Sequence, residues 1–141
     1  MAHSLTTASE FFLVECLYKR FHTRDFFFIS GVAGSTPVLW YMALVTTLVT
    51  IGFPGTSLFT AKLLFFGVLS SFSIALFIVF AVFFLLFIPL FFIRLWVPVW
   101  FGSQVRACCP DLSGREAALF MFSLGGSILL GLCPGLVLDY V

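Results

Sequence analysis

Three ionisable residues, His3, Glu10 and Lys62, stand in stretches of sequence that are otherwise almost entirely apolar or small. Histidine titrates near neutral pH, and a glutamate or lysine withdrawn from water can store and release a proton there as well. His3 and Glu10 are seven residues apart, so a helix places them on one face. These residue types and this spacing predict a proton relay of His3, Glu10 and Lys62 inside a membrane.

Each of the three residues also has a structural interpretation. His3 could be an interfacial histidine near the start of the sequence, and Glu10 could form a structural ion pair with Lys62. Lys62 is the only charged residue between Asp25 and Arg94. A lysine near a helix end could extend to the membrane surface, whereas a central one needs a bundle interior, a wet cavity or a carboxylate. Its isolation in the sequence favours the functional interpretation.

The composition requires a membrane setting for these residues. The chain of 141 residues is 62% hydrophobic and 9% charged, against a charged share of about a quarter in soluble domains. A net charge of +1 excludes a basic surface for nucleic acid and an acidic disordered tail. The sequence therefore predicts an all-α membrane protein, one transmembrane domain over residues 1–141, in contact with lipids and protein partners. About four spanning helices are expected, at approximately 2–20, 36–67, 69–95 and 115–134.

The distribution of basic residues supports four spans. Six of the seven basic residues fall in the segments 19–35 and 94–116, which four spans place on the same side of the membrane. Because basic loops stay on the cytoplasmic or matrix side, both termini are expected on the opposite side.

The second predicted helix is interrupted by the motif Gly52-Phe53-Pro54-Gly55. Proline removes a backbone donor and clashes with the preceding turn, and the glycines favour unwinding. Backbone groups freed at membrane depth need protein or water around them, and discontinuous helices often mark ion pathways. The motif predicts a helix broken near 52–57, about two turns before Lys62. A proline kink without function is the alternative.

Four ordered blocks of sequence resemble the last helices of subunit 4 of NADH dehydrogenase, an antiporter-like, proton-pumping subunit family of respiratory complex I. Their order and spacing together cover nearly the whole chain. The blocks are Ala2-His3-Ser4-Leu5 through Leu17-Tyr18-Lys19-Arg20-Phe21-His22-Thr23-Arg24-Asp25, Gly52-Phe53-Pro54-Gly55-Thr56-Ser57-x-Phe59, Asp111-Leu112-x-x-Arg115-Glu116, and Gly131-Leu132-x-Pro134 with Leu138-Asp139.

The resemblance implies proton translocation coupled to electron transfer from NADH to ubiquinone, as part of an H⁺-translocating NADH:ubiquinone reductase. It covers the C-terminal part of a longer family member, so an N-terminal subunit 4 piece and neighbouring antiporter-like subunits are the implied partners. NADH, FMN, the iron–sulfur clusters and ubiquinone are implied to bind elsewhere in the complex. The mitochondrial inner membrane is the expected location, with the bacterial plasma membrane as the less favoured one; the 21 phenylalanines fit a T-rich mitochondrial coding sequence.

Two residues depart from the family pattern. Lys62 stands where subunit 4 usually has glutamate, although related antiporter-like subunits have lysine there, and Glu10 stands where the family normally has an apolar residue. By the resemblance, His3 matches the histidine of the family's central hydrophilic axis. We hypothesise that the two changes compensate: Glu10 supplies the carboxylate lost at position 62, or forms an ion pair with Lys62.

The four cysteines, Cys16, Cys108, Cys109 and Cys133, have neither iron–sulfur nor zinc spacing. No cofactor or metal is therefore expected on this chain. Two alternatives to a proton-translocating subunit remain: a structural or assembly scaffold of the same complex, and a small independent cation/proton carrier.

Overall fold

The chain folds into helices throughout the part that the computed structural model describes, residues 2–23, 25, 29–103 and 110–135. The expected all-α fold is confirmed. Arg24, Cys108, Cys109, Leu138 and Asp139 lie outside the described residues. The elements are α1 (Ala2–Phe21), α2 (Val32–Ser35), α3 (Pro37–Ile51), α4 (Ser57–Phe72), α5 (Ile74–Val82), a π-helical turn (Phe83–Phe87), α6 (Ile88–Phe101) and α7 (Gly114–Leu132).

Two helices in the described ranges are long and apolar enough to cross a membrane. They are α7, with 19 residues, and the continuous run Ile74–Phe101, in which the π-helical turn joins α5 to α6 over 28 residues. The helices α3 and α4 are shorter and apolar. They flank the motif at which the sequence predicts a broken helix, and this break is confirmed because α3 ends at Ile51 and α4 begins at Ser57.

The second and third predicted spans meet at Ser73 in the structure. The sequence places their boundary between residues 67 and 69, but α4 continues through Gly67 to Phe72. The hydroxyls of Ser70 and Ser71 donate to carbonyl groups within the helix, which lets these polar side chains remain in a helical segment. Ser73 is extended (φ −161°, ψ 125°), and this residue separates the two helices.

Most of the buried apolar side chains come from α1, α3, α6 and α7, and Ile29 just before α2 and Val32 at its start add to them. Leu13, Leu39, Val99 and Phe120 are almost completely buried, and the rings of Phe12 and Phe120 lie 4.8 Å apart between centroids. In α5, by contrast, no residue is buried. Its Phe77 and Phe80 rings contact Phe66 and Phe65 of α4, and most of its other residues are exposed. A large exposed apolar face is typical of a segment that faces lipid or another subunit.

Arg20 connects the end of α1 to the segment that leads into α7. Its Nε donates to the Pro110 carbonyl over 2.8 Å, and Nη2 donates to the Asp111 carbonyl and to Oε2 of Glu116, over 3.1 and 2.9 Å. Nη1 donates to the Cys16 carbonyl over 2.9 Å. The Arg20 side chain is 6% exposed and that of Glu116 is 19% exposed, so water screens this ion pair only weakly.

Asp111 connects the Arg20 ion pair to the start of α3. Its Oδ2 accepts from the Val38 N–H over 3.0 Å, and Oδ1 accepts from the Leu39 N–H over 3.2 Å. A carboxylate at the first turn satisfies free backbone donors and complements the positive end of the helix dipole. Ser113 and Glu116 form a capping box at the start of α7. Arg20, Asp111, Ser113 and Glu116 thus form an ion-pair cluster, which holds together the end of α1 and the starts of α3 and α7.

We expect Arg20→Met to destabilise the protein by about 3 kcal/mol, because it leaves the partly buried Glu116 carboxylate without its cation. Thermal denaturation of the purified protein in detergent checks this as a lower midpoint. Lys19→Met is the matched control, since the Lys19–Glu15 pair is 56% and 52% exposed and such pairs contribute little. Equal midpoints for the two variants would contradict a structural role for Arg20.

Candidate functional site: the helix break and its cavity

The break between α3 and α4 satisfies part of its own backbone. The N–H groups of Gly52 and Phe53 donate to the Leu48 carbonyl over 3.2 and 3.0 Å, and the Thr56 N–H donates to the Phe53 carbonyl over 3.1 Å. Gly52 adopts a left-handed conformation, with φ of 84°, as glycine commonly does after a helix. The carbonyl of Ile51, the last residue of α3, is left to a side chain.

Lys62 supplies that partner. Its Nζ donates to the Ile51 carbonyl oxygen over 2.6 Å and lies over the Phe84 ring, 5.6 Å from the centroid. The carboxyl end of a helix carries partial negative charge, so an ammonium group is stabilised there. Lys62 therefore points back to the break, where a helix ends at membrane depth, and meets both a carbonyl oxygen and an aromatic face.

Gly52 leaves the space that the Lys62 side chain occupies. A Cβ atom at position 52 would lie 2.8 Å from Nζ and 3.3 Å from Cδ and Cε of Lys62. The positive φ of Gly52 is itself unfavourable for other residues. The glycine is thus required twice, for the turn and for the lysine.

The α7 helix approaches the other side of the break at Gly131. A Cβ atom on Gly131 would overlap the Gly55 carbonyl oxygen and the backbone of Thr56, and would lie 2.7 Å from the Ser57 nitrogen. Helices in membranes pack closely where small residues let backbones approach. The α7 helix therefore covers residues 55–57 of the broken segment, whereas Phe53 and Pro54 are exposed. Irregular backbone at membrane depth needs protein or water around it.

A cavity of about 460 Å³ brings the three residues predicted from sequence together. Polar side chains from α1, α3 and α4 line it beside apolar ones from α1, α4 and the long helix. The lining residues are His3, Thr6, Thr7, Glu10, Phe11, Val14, Thr50, Leu58, Lys62, Phe84, Ile88 and Phe92.

Glu10 presents an unpaired oxygen at this cavity. Its Oε1 atom is buried and has no hydrogen-bond partner among the described residues, while the carboxyl group interacts with the Thr50 side chain. His3 is exposed and lies two turns earlier on α1. Glu10 and His3 therefore reach the cavity from one helix, and Lys62 reaches it from the helix after the break.

The direct ion pair considered between Glu10 and Lys62 is not formed. Both residues are described, and no ion pair within 4.0 Å joins them. Lys62 instead donates to the Ile51 carbonyl. That acceptor belongs to the last residue of α3, just before the break, whereas Glu10 belongs to α1. What the two residues share is the cavity.

Two features of the site do not follow from the sequence analysis: the Ile51 carbonyl and Phe84. A backbone acceptor has no residue type by which it can be recognised, although the glycine after it marks the helix end. Phe84 is one of 21 phenylalanines, and no sequence signal separates it from the others. Within the described ranges, no group of three or more histidines, cysteines or acidic residues is placed to hold a metal ion.

We expect Gly52→Ala to lower the thermal midpoint of the protein more than Gly55→Ala does. Both glycines have positive φ, 84° and 93°, so alanine costs about 1–2 kcal/mol of backbone strain at either position. A Cβ at position 55 meets nothing within 4 Å, whereas one at position 52 meets Lys62. The difference between the two thermal midpoints measures the lysine contact, and it should disappear when Lys62 is also changed to alanine. Equal midpoints in the native Lys62 background would contradict this contact.

Comparisons with known proteins match the chain to a family of membrane subunits. Residues 1–88 match the family described as "NADH:quinone oxidoreductase/Mrp antiporter, TM". The NADH-quinone oxidoreductase subunit M of Escherichia coli K12 is 31% identical over 145 residues, which cover 99% of this chain and 28% of that protein.

Two further relatives agree with this match. Subunit M of Rhodobacter capsulatus is 27% identical, over 100% of this chain and 28% of that protein. The NADH-ubiquinone oxidoreductase chain 4 of Metridium senile is 30% identical, over 100% of this chain and 29% of its own length. The chain thus spans less than a third of each of these relatives. With more than half of its residues matched, it belongs to the NADH:quinone oxidoreductase/Mrp antiporter transmembrane family.

Proposed function

We propose that this chain is the C-terminal fragment of an antiporter-like subunit 4 in proton-pumping NADH:ubiquinone oxidoreductase, and that it contributes to proton translocation coupled to electron transfer. The names of its relatives and the share of their length that it spans support the assignment. The observation that carries the proton path is the cavity at the helix break, since His3, Glu10 and Lys62 all line it.

The proposed path uses proton exchange between groups of different type. Lys62 holds a proton as ammonium beside the Ile51 carbonyl. Glu10 offers a buried carboxyl oxygen without a hydrogen-bond partner among the described residues, and His3 lies two turns away toward the start of α1. Side chains that line a shared cavity can pass protons directly or through water held by polar groups. Glu10 thereby supplies the carboxylate that the family usually has at position 62.

Other subunits carry the redox chemistry in this proposal. NADH, FMN, the iron–sulfur clusters and ubiquinone bind elsewhere, and this chain contributes to the enzyme by moving protons. Its described residues include no group of three or more histidines, cysteines or acidic residues that could hold a metal ion. The partners are an N-terminal subunit 4 piece, neighbouring antiporter-like subunits and lipids. The proposed location is the mitochondrial inner membrane, and the bacterial plasma membrane is the alternative.

A scaffold function is the second candidate. The contact that favours it is the Lys62 hydrogen bond to Ile51, because an ammonium at the end of α3 stabilises the break whether or not it ever releases a proton. The two candidates share one geometry and differ in whether a proton leaves Lys62.

We expect Lys62→Gln to lower proton pumping per complex about a hundredfold or more, because one positioned proton-transfer group typically contributes about 10²–10⁴-fold to a rate. Glutamine retains a hydrogen-bond donor but cannot store a proton. The measurement is quinone-dependent proton uptake by vesicles, normalised to the amount of complex seen as the NADH-oxidising band on a native gel. Lys19→Gln is the control, since Lys19 is exposed and paired with Glu15.

The alternatives give different outcomes in the same experiment. Normal pumping by a fully assembled Lys62→Gln complex would favour the scaffold function. Migration of the native chain as a small species, apart from the NADH-oxidising band, would favour an independent cation/proton carrier.

We expect Glu10→Gln to reduce pumping severalfold and to leave the free energy of unfolding, followed by thermal denaturation, within about 1 kcal/mol of the native value. The amide has almost the shape of the carboxyl, and a neutral buried group is less costly than a charged one. Glu15→Gln is the matched control because it lies five residues later on α1 and is exposed. Equal pumping rates for the two variants would remove Glu10 from the path.

A further inference from the structure

The ring of Phe84 is the aromatic wall beside the Lys62 ammonium. Nζ lies over this ring at 5.6 Å from its centroid, inside the distance at which a cation is attracted to a ring face. An aromatic face offers negative potential without a hydrogen-bonding group that itself needs solvation. It therefore suits a cation held among apolar side chains.

The π-helical turn sets the position of this ring. The Ile88 N–H donates to the Phe83 carbonyl, five residues earlier, and the turn thereby contains one residue more than an α-helical turn. Pro89 follows directly; it has no N–H and its ring crowds the preceding turn of an α-helix. A wider turn relieves that crowding, and such turns are frequent at functional sites. Here the turn carries Phe84 on the side of the cavity.

The helix that carries Lys62 also holds the Phe84 ring. The centroid of Phe84 lies 6.5 Å from that of Phe65 and 6.0 Å from that of Phe66. Positions three and four residues after Lys62 share its face of α4. Lysine and both phenylalanines thus form one surface on which the Phe84 ring docks, which fixes the ring relative to the ammonium.

We propose that Phe84 is a positioning residue for Lys62: its ring holds the ammonium against the Ile51 carbonyl at the helix break. The effect on proton transfer rests on the function proposed above, in which Lys62 carries a proton. Phe84 exchanges no proton itself. It limits the directions that a flexible lysine can take in a cavity that is large compared with its head group.

The test compares Phe84→Leu with Phe84→Tyr in the assembled complex. Leucine keeps an apolar side chain but removes the ring face, whereas tyrosine keeps the ring and adds a hydroxyl. Phe87→Leu is the control, because Phe87 belongs to the same turn, is 61% exposed and stacks on Phe83 instead. High-resolution structures of the three variants give the Nζ to Ile51 oxygen distance, and quinone-dependent pumping gives the functional effect.

We expect Nζ to leave the Ile51 carbonyl in Phe84→Leu and to remain on it in Phe84→Tyr and Phe87→Leu. Cation–π contacts change an equilibrium about threefold to tenfold, and pumping by Phe84→Leu should fall by a similar factor while the other two variants keep native rates. If the Phe84 ring only filled space, Phe84→Leu would pump better than Phe84→Tyr, because leucine suits an apolar site better than a hydroxyl group does.

The outcomes separate this proposal from the proposed function. A lysine that stays on the carbonyl in Phe84→Leu would overturn the positioning role, whatever the pumping rate. A lysine that moves while pumping stays native would establish the positioning role and contradict proton transfer through Lys62.

Discussion

The end of α3 inside the membrane is the constraint on which the rest of the structure depends. A carbonyl left without a partner in hydrocarbon costs several kcal/mol, and an ammonium there is similarly unfavourable. The hydrogen bond from Lys62 to Ile51 lets each group reduce the other's cost. Gly52 must lack a side chain to admit the lysine, and Gly131 must lack one to let α7 cover the broken segment. The polar contact thus requires glycine at position 52, and the close approach of α7 requires it at position 131.

The α3 helix is held by a charge of suitable sign at each end. Asp111 accepts from backbone N–H groups at its start, and Lys62 donates to the carbonyl at its end. Both charges complement the helix dipole. Arg20 joins the Asp111 segment to α1 and, through Glu116, to the start of α7. The ion-pair cluster therefore holds three helices together at one end, while the half-buried lysine stabilises the break at the other end of α3.

Local chemistry in the sequence predicts much of this arrangement. The pair of glycines around Pro54 predicts the break, and the spacing of His3 and Glu10 predicts their approach to one cavity. Contacts that depend on three-dimensional placement were not accessible: Arg20 meets Glu116 96 residues later, and Phe84 resembles every other phenylalanine in the sequence. The ion pair of Glu10 with Lys62 was a reasonable expectation from charge alone. In the structure Lys62 donates to the Ile51 carbonyl, an acceptor that residue types do not reveal, and forms no ion pair with Glu10.

The contact at the break also constrains how a proton could move. A neutral amine can still donate to the Ile51 carbonyl, but it no longer complements the negative end of α3. Release of the proton would therefore weaken the break at the moment when the charge leaves it. A nearby carboxyl group that takes up the proton limits the separation of charge, and Glu10 lies on the same cavity. In the proposed path, Lys62 thus stabilises the fold while it is protonated and loses part of that effect when it releases the proton. Changes at Lys62 must therefore be interpreted with stability and pumping measured together.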